Sequence, residues 1–207
     1  MARTQEMARI LTSHKAVSSL NGHRSWVVGV SPQRPITGGP TVLPVTRRAT
    51  KADGSRWLRV MLPGRPNGRQ GWIEQRGTAL KTTRWQLVVR TASRHVLAYR
   101  DGRLVRSFRA VVGKPSTPTP RGSFFVEESI LMPAGAAGAP YALATSARSN
   151  VLQEFDGGPG QIGIHGVQNL GGTPGTAVSH GCVRLADGPI RWLAARIGPG
   201  VRVTITA

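Results

Sequence analysis

Glycine and proline recur so often in this chain that few stretches run long enough for a helix: 26 glycines and 15 prolines lie among 207 residues. A helix of ordinary length needs some three uninterrupted turns, whereas short strands joined by tight turns tolerate and use both residues. The sequence therefore predicts a mainly β fold. One segment escapes the punctuation. In "DGPIRWLAARIG" (187–198), Ile190, Leu193, Ala194 and Ile197 fall on one helical face. Asp187 reads as its N-cap, Pro189 is tolerated in the first turn, and Gly198 or Gly200 closes it.

The strand-like pieces fall into two sets. "SWVVGV" (25–30), "TVLPVTRR" (41–48), "RWLRVML" (56–62) and "GWIEQR" (71–76) are short and rich in Val, Leu and Trp, with turn material between them. They predict a small antiparallel β-barrel over residues 26–82, with "KTTR" (81–84) as a junction. Residues 1–25 show no firm periodicity and read as a disordered leader. The second set, 83–207, opens with strands at 85–90, 95–100 and 103–112, the last two joined by an Asp101-Gly102 turn. "SFFVEESIL", "YALATS", "QIGIHGV" and the terminal "VRVTITA" continue it. "KPSTPTPRG" (114–122) is a proline-locked loop, and "MPAGAAGAP" (132–140) a small-residue loop that reads as a lid or a disordered segment.

Charge narrows the partners. Lys and Arg number 28 against 9 Asp and Glu, a formal net charge of +19, spread over both sets. Such a surface attracts polyanions, among them anionic cell-wall polymers, although a general preference for arginine gives the same count. An interleaved aromatic and basic stripe is missing, so nucleic acid is not an expected partner. No apolar run approaches the roughly 18 residues of a membrane helix. The first 25 residues lack the apolar stretch of about 7–15 residues that marks a secretory signal, so either export follows another route or the true start lies upstream.

The chain has a single cysteine, Cys182, in "AVSHGCVRLADG" (177–188). It cannot form an intrachain disulfide or a multi-cysteine zinc site. Three readings stay open on the residues alone: a nucleophile, a zinc ligand together with His165 and His180, or a small packing residue. Nucleophilic chemistry needs a base, something to orient it, and donors for an oxyanion. His165 ends the apolar strand "QIGIH", and the 171–176 loop returns the chain toward Ser179, so His165 can face Cys182. Gly166 and Gly181 allow close backbone approach. A free thiol has a pKa of about 8.5, and a histidine partner is the better source of activation, since Asp187 begins its helix too far away. His95 reads as a surface or core-edge residue, His14 and His23 as solvated leader residues, and Asp156 as a turn residue.

"IHG" (164–166) followed by "SHGCVRL" (179–185) resembles the signature of the L,D-transpeptidase catalytic domain family. "VVGKPSTPTPRGSF" (111–124) and "DGPIRWLAARIGPGVRVTI" resemble two further segments of it, in the same order, so the resemblance covers about residues 84–207. Residues 40–80 resemble, more loosely, a bacterial Src-homology-3-like barrel. The family resemblance implies a β-sandwich catalytic domain with one C-terminal helix and no cofactor or metal. It implies Cys182 as acyl-accepting thiolate, His165 as general base and the Gly166 carbonyl as its orienting group. Backbone amides around His180, Gly181 and Cys182 form the implied oxyanion hole, with Arg184 and Ser179 holding the substrate or the loop. The implied reaction transfers peptidoglycan tetrapeptide stems into 3→3 cross-links outside the membrane, in the cell wall or periplasm, at a site that carbapenems acylate. L,D-carboxypeptidase cleavage at the same site, or an inert wall-binding protein, are the alternatives.

Overall fold

The computed structural model describes residues 3–21, 26–155 and 157–207. Seventeen strands and one helix are described, and almost all the strands fall into two sheets. The first sheet contains β1 (Gln5–Ile10), β2 (His14–Val17), β3 (Val27–Val30), β4 (Val42–Thr50), β5 (Arg56–Met61), β6 (Gln70–Glu74) and β7 (Thr78–Thr83). Its strand order is β3-β2-β6-β5-β4-β1-β7. Ala8, Ile10, Ala16, Leu43, Val45, Leu58, Val60 and Ile73 form its core.

The stretch expected to be a disordered leader thus supplies two strands. β1 is paired on both sides, with β4 and with β7, and buries Met7, Ala8 and Ile10. The residues of "QEMARI" have little intrinsic preference for a strand. The two flanking ladders impose the conformation, which is why periodicity did not show it. His14, expected in solvent, lies in β2 with Nε2 3.3 Å from the Gly77 carbonyl oxygen. The expected junction at 81–84 is mostly strand β7. His23 and Asp156 lie outside the described residues.

The second sheet contains β8 (Trp85–Arg90), β9 (His95–Arg100), β10 (Arg103–Arg109), β12 (Gly122–Leu131), β13 (Tyr141–Arg148), β14 (Gln161–Gly166), β16 (Val183–Leu185) and β17 (Arg202–Thr206). They run in the order β10-β9-β8-β17-β12-β13-β14-β16. The 103–112 segment divides: β10 ends at Arg109, and β11 (Val112–Gly113) pairs instead with β15 (Ala177–Ser179). Asp101 and Gly102 both have positive φ, 55° and 76°, as a tight hairpin turn between β9 and β10 requires. Helix α1 (Asp187–Ala194) is shorter than expected, and Ala186, without a side-chain cap, precedes it. Asp187 sits in the first turn, where its carboxylate accepts a hydrogen bond from Gln168 Nε2 at 2.5 Å. Ile190 and Leu193 of α1 join Leu87, Val96, Phe124, Leu143, Ile162, Ile164, Val183 and Val203 in one core, and the largely exposed β10 packs only Phe108 against it.

Strand β12 of the second sheet packs into both cores. Adjacent side chains on a strand point to opposite faces: Phe124 enters the second core and Phe125 the first. Register shifts between Val126 and Glu128, and the two consecutive carboxylates that follow, Glu127 and Glu128, are both buried. Arg34, from the loop after β3, pairs with Glu127 and approaches Glu128 Oε1 at 3.9 Å. Glu128 also accepts the Thr37 amide at 2.8 Å and the Thr37 hydroxyl at 2.7 Å.

Candidate active site

β14 and β16 run parallel, with Ile164 opposite Val183 and His165 opposite Arg184. One residue earlier, Cys182 comes level with Gly163. Ile162 and Ile164 point into the core, so Gly163 lies on the opposite face with His165, whose ring lines a cleft of about 950 Å³. Cys182, His180 and Arg184 line that same cleft. Gly163 has no side chain to occupy the space above the strand. Its amide donates to Cys182 Sγ at 3.4 Å, and the thiol lies 3.9 Å from the Gln161 carbonyl oxygen.

His165 Nδ1 donates to the Gly166 carbonyl at 2.8 Å, which assigns the proton to Nδ1 and leaves Nε2 as the basic nitrogen. The far end of the 132–140 loop holds this arrangement from outside. Gly138 accepts the Gly166 amide at 2.8 Å and donates its own amide to the Gln168 carbonyl at 2.8 Å. A Cβ on Gly166 would lie 1.8 Å from the Ala139 carbonyl oxygen. A Cβ on Gly138, at φ +85°, would lie 2.7 Å from His165 Nδ1. The loop read as a lid or disordered segment is therefore folded against the histidine, with Gly138, Ala139 and Pro140 all buried.

The Ser179–Cys182 turn is braced by side chains. Ser179 is fully buried; its hydroxyl donates to the Cys182 carbonyl at 2.6 Å and accepts the Gly181 amide at 3.1 Å. Gly181 has φ +123°, a conformation that L side chains rarely adopt. Thr119 Oγ1 donates to the Gly181 carbonyl at 2.8 Å and accepts the Gly113 amide at 2.9 Å, while Thr117 Oγ1 donates to the Ser179 carbonyl at 3.1 Å. The "KPSTPTP" loop thus works as a buttress. Gly113 allows the close approach, since its Cβ would sit 2.4 Å from Thr117 O and Thr119 N. Because Ser179 engages the Gly181 amide, the amides of this turn without a partner among the described residues are those of His180 and Cys182.

Arg184 Nη1 donates to the Gly171 carbonyl, and its buried Nε has no partner among the described residues. Arg184 is the one formally charged side chain among the described residues lining the cleft, and no carboxylate lines it. Phe155 forms another wall, its ring tilted 31° to that of His180 at a centroid distance of 5.4 Å.

Burial dominates the electrostatics. It pushes the Cys182 thiol above its ordinary value, with the Gly163 amide and Arg184 pulling the other way. It pushes His165 below the ordinary histidine value; the Gly166 carbonyl opposes this and Arg184 reinforces it. Both directions favour the uncharged forms, thiol and imidazole. Among the described residues, no three His, Cys, Asp or Glu side chains converge as a metal site.

Of the residues singled out in the sequence, Cys182, His165, His180 and Arg184 line one cleft, while Gly166, Gly181 and Ser179 shape its backbone. Thr117, Thr119, Gly138, Gly163 and Phe155 were missed. For the threonines the signal was there, in an alternating Thr-Pro segment too rigid for a strand. For Gly138, Gly163 and Phe155 the reason for the residue lies across a sheet or a cleft.

The fold and cleft define a β-rich domain whose second sheet brings a histidine and the single cysteine into one cleft. A family model for the YkuD L,D-transpeptidase catalytic domain matches residues 84–205; the chain belongs to this family. Two curated relatives, from Bacillus licheniformis and Bacillus subtilis, both carry the name L,D-transpeptidase YkuD. The first is 34% identical over 125 residues, 60% of this chain and 67% of the relative. The second is 33% identical over 105 residues, 51% of this chain and 56% of the relative. Among solved structures, an L,D-transpeptidase from Mycobacterium tuberculosis H37Rv is 18% identical, with 93% of this chain and 98% of that one covered at a TM-score of 0.48. No helix among the described residues is long and apolar enough to cross a membrane.

Proposed function

We propose that this protein is a cysteine-dependent L,D-transpeptidase acting on peptidoglycan tetrapeptide stems outside the cytoplasmic membrane. The observation that carries the reading is the shared face of β14 and β16: Cys182 and His165 open into one cleft, and His165 is oriented by the Gly166 carbonyl without a carboxylate.

As His165 Nε2 takes the thiol proton, the Cys182 sulfur attacks the carbonyl that precedes the terminal D-residue of the stem. The negative charge on that oxygen is met by the amides of His180 and Cys182, while Gly181 supplies the turn. The C–N bond breaks, His165 returns its proton to the departing amine, and the D-amino acid leaves a thioester on Cys182. An amine of a second stem then loses its proton to His165 and attacks the thioester. This forms the 3→3 cross-link and restores the thiol. Water in place of the amine gives the carboxypeptidase reaction. No cofactor or metal takes part in these steps.

The cleft's charge supports the substrate class. An arginine with no carboxylate opposite it suits a ligand that carries carboxylates, as stem peptides do. Anionic wall polymers are the partners proposed for the wider +19 surface. Incubation with a purified tetrapeptide stem tests the reading: Cys182 is expected to gain the acyl mass with release of the terminal D-residue. Absence of both at full folding would exclude it.

A further inference from the structure

The segment between β13 and β14, residues 149–160, makes one wall of the catalytic cleft through Phe155. Its described residues contain no strand, only an isolated bridge between Phe155 and Gly158. Its ends are closed by the Ser149 amide on the Gly160 carbonyl at 2.8 Å, and its tip by reciprocal Phe155 and Gly158 bonds of 2.9 and 3.0 Å. Its middle is held from the other sheet. Arg65, in the loop between β5 and β6, donates through Nη1 to the Pro159 carbonyl at 2.8 Å. Through Nη2 it donates to the Ser149 and Leu152 carbonyls at 2.9 and 3.0 Å. One guanidinium therefore gathers three carbonyls that would otherwise turn toward one another. Packing there is tight: a Cβ on Gly160 would lie 2.1 Å from the Leu152 carbonyl oxygen and 3.2 Å from Arg65 Nη2. Asn67 secures the same end, exchanging two 2.8 Å hydrogen bonds with the Arg148 backbone and donating to Asn150 Oδ1 at 3.1 Å.

What the segment presents to the cleft is an apolar ring in the open. Phe155 is 49% exposed and belongs to neither core. It stacks on His180, two residues from the thiol, and Val178, 47% exposed, lines the same wall. Large exposed apolar groups beside a reactive centre suit a ligand surface.

We infer that Phe155, with His180, forms a shelf that binds an uncharged, aliphatic part of the peptide acyl donor, and that Arg65 is the positioning residue that sets this shelf from the N-terminal sheet. The inference rests on the transpeptidase reading for the identity of the donor. It gives the N-terminal sheet a part in substrate binding that requires no catalytic group of its own. The chemistry at sulfur is untouched by the shelf, so its loss should appear in KM and leave kcat nearly unchanged.

The test compares the full chain with Arg65→Met and Phe155→Ala. Three readouts are taken: steady-state kinetics on a soluble tetrapeptide stem, alkylation of Cys182 by iodoacetamide, and hydrogen exchange of residues 149–160. Both variants are expected to raise KM about tenfold, equivalent to about 1.4 kcal/mol of binding, with kcat within about twofold. Alkylation should be unchanged in both. Exchange of 149–160 should quicken in Arg65→Met, by about fivefold or more, and stay as in the wild type in Phe155→Ala. Unchanged KM in Phe155→Ala would overturn the shelf. Unchanged exchange in Arg65→Met, or a failure of that variant to fold, would overturn its role as a positioning residue for this segment alone. A wild-type protein that does not turn over the stem would refute the transpeptidase reading instead, while the exchange comparison still decides the role of Arg65.

Discussion

Cys182 and His165 sit on one side of two parallel strands, and burial drives both toward their neutral forms. The signs set the pH behaviour. A histidine held below its ordinary value of about 6.5 stays a base on mild acidification, so turnover should persist from pH 7 to pH 6 and decline only below the usual histidine range. An acid limb centred at or above pH 7 would contradict this. A thiol held above its ordinary value of about 8.5 ionises late. The rate of Cys182 alkylation by iodoacetamide should therefore rise with a midpoint above that value, and a plateau at neutral pH would show a preformed thiolate. Gly138 gives a steric test at the same scale. Gly138→Ala places a methyl 2.7 Å from His165 Nδ1 at a backbone φ of +85°. It should cost about 1–2 kcal/mol of stability through the left-handed backbone alone, measured by urea unfolding. It should cost proportionally more in kcat, because the ring must leave the Gly166 carbonyl. Cys182 and His165 were legible in the sequence as candidate site residues because glycines flank them in a spaced motif. The pKa directions were not, since they depend on how deeply β14 and β16 are covered.

Elements with a local signal were legible. The Asp101-Gly102 hairpin, the apolar face of α1 and the longer strands of the second sheet follow from residues near one another in sequence. β15 and β16 have three residues each, too few for any period to show, and β1 takes its form from β4 and β7. The buttress shows the same division. Its prolines mark "KPSTPTP" as rigid, but only the fold brings Thr119 to the Gly181 carbonyl. Thr119→Val removes that bond and the one from the Gly113 amide, leaving one buried and one part-buried backbone group without partners. The expected loss is about 1–3 kcal/mol per unsatisfied group, read by urea denaturation, with slower acylation of Cys182 as the turn loosens. A variant with wild-type stability and acylation would show that the buttress does not support the turn.

Across the whole molecule, the two sheets are not separable modules. Phe125 completes the first core from within the second sheet. Arg34 compensates the buried Glu127 and Glu128, and Arg202 reaches the Val45 carbonyl at 2.7 Å. Glu127 also accepts Arg148 at 3.0 Å and the Gln161 side chain at 3.3 Å, and the Gln161 carbonyl lies beside the Cys182 thiol. A fragment of residues 84–207 would expose Phe125 and leave two carboxylates without Arg34. Removing one partner of a buried ion pair costs about 3–5 kcal/mol, so the fragment should show no cooperative thermal transition; a sharp one with full turnover would refute the coupling. The segmentation visible in the sequence concealed this, because a linker-like composition at 81–84 says nothing of contacts made through β12. Intact-protein mass spectrometry with a tetrapeptide stem tests most directly whether Cys182, served by His165, is the acyl-carrying nucleophile. The wild type is predicted to carry one stem adduct, mapped to Cys182 by peptide digestion, with none on a folded Cys182→Ser variant. An adduct at another residue, or full turnover by Cys182→Ser, would contradict it.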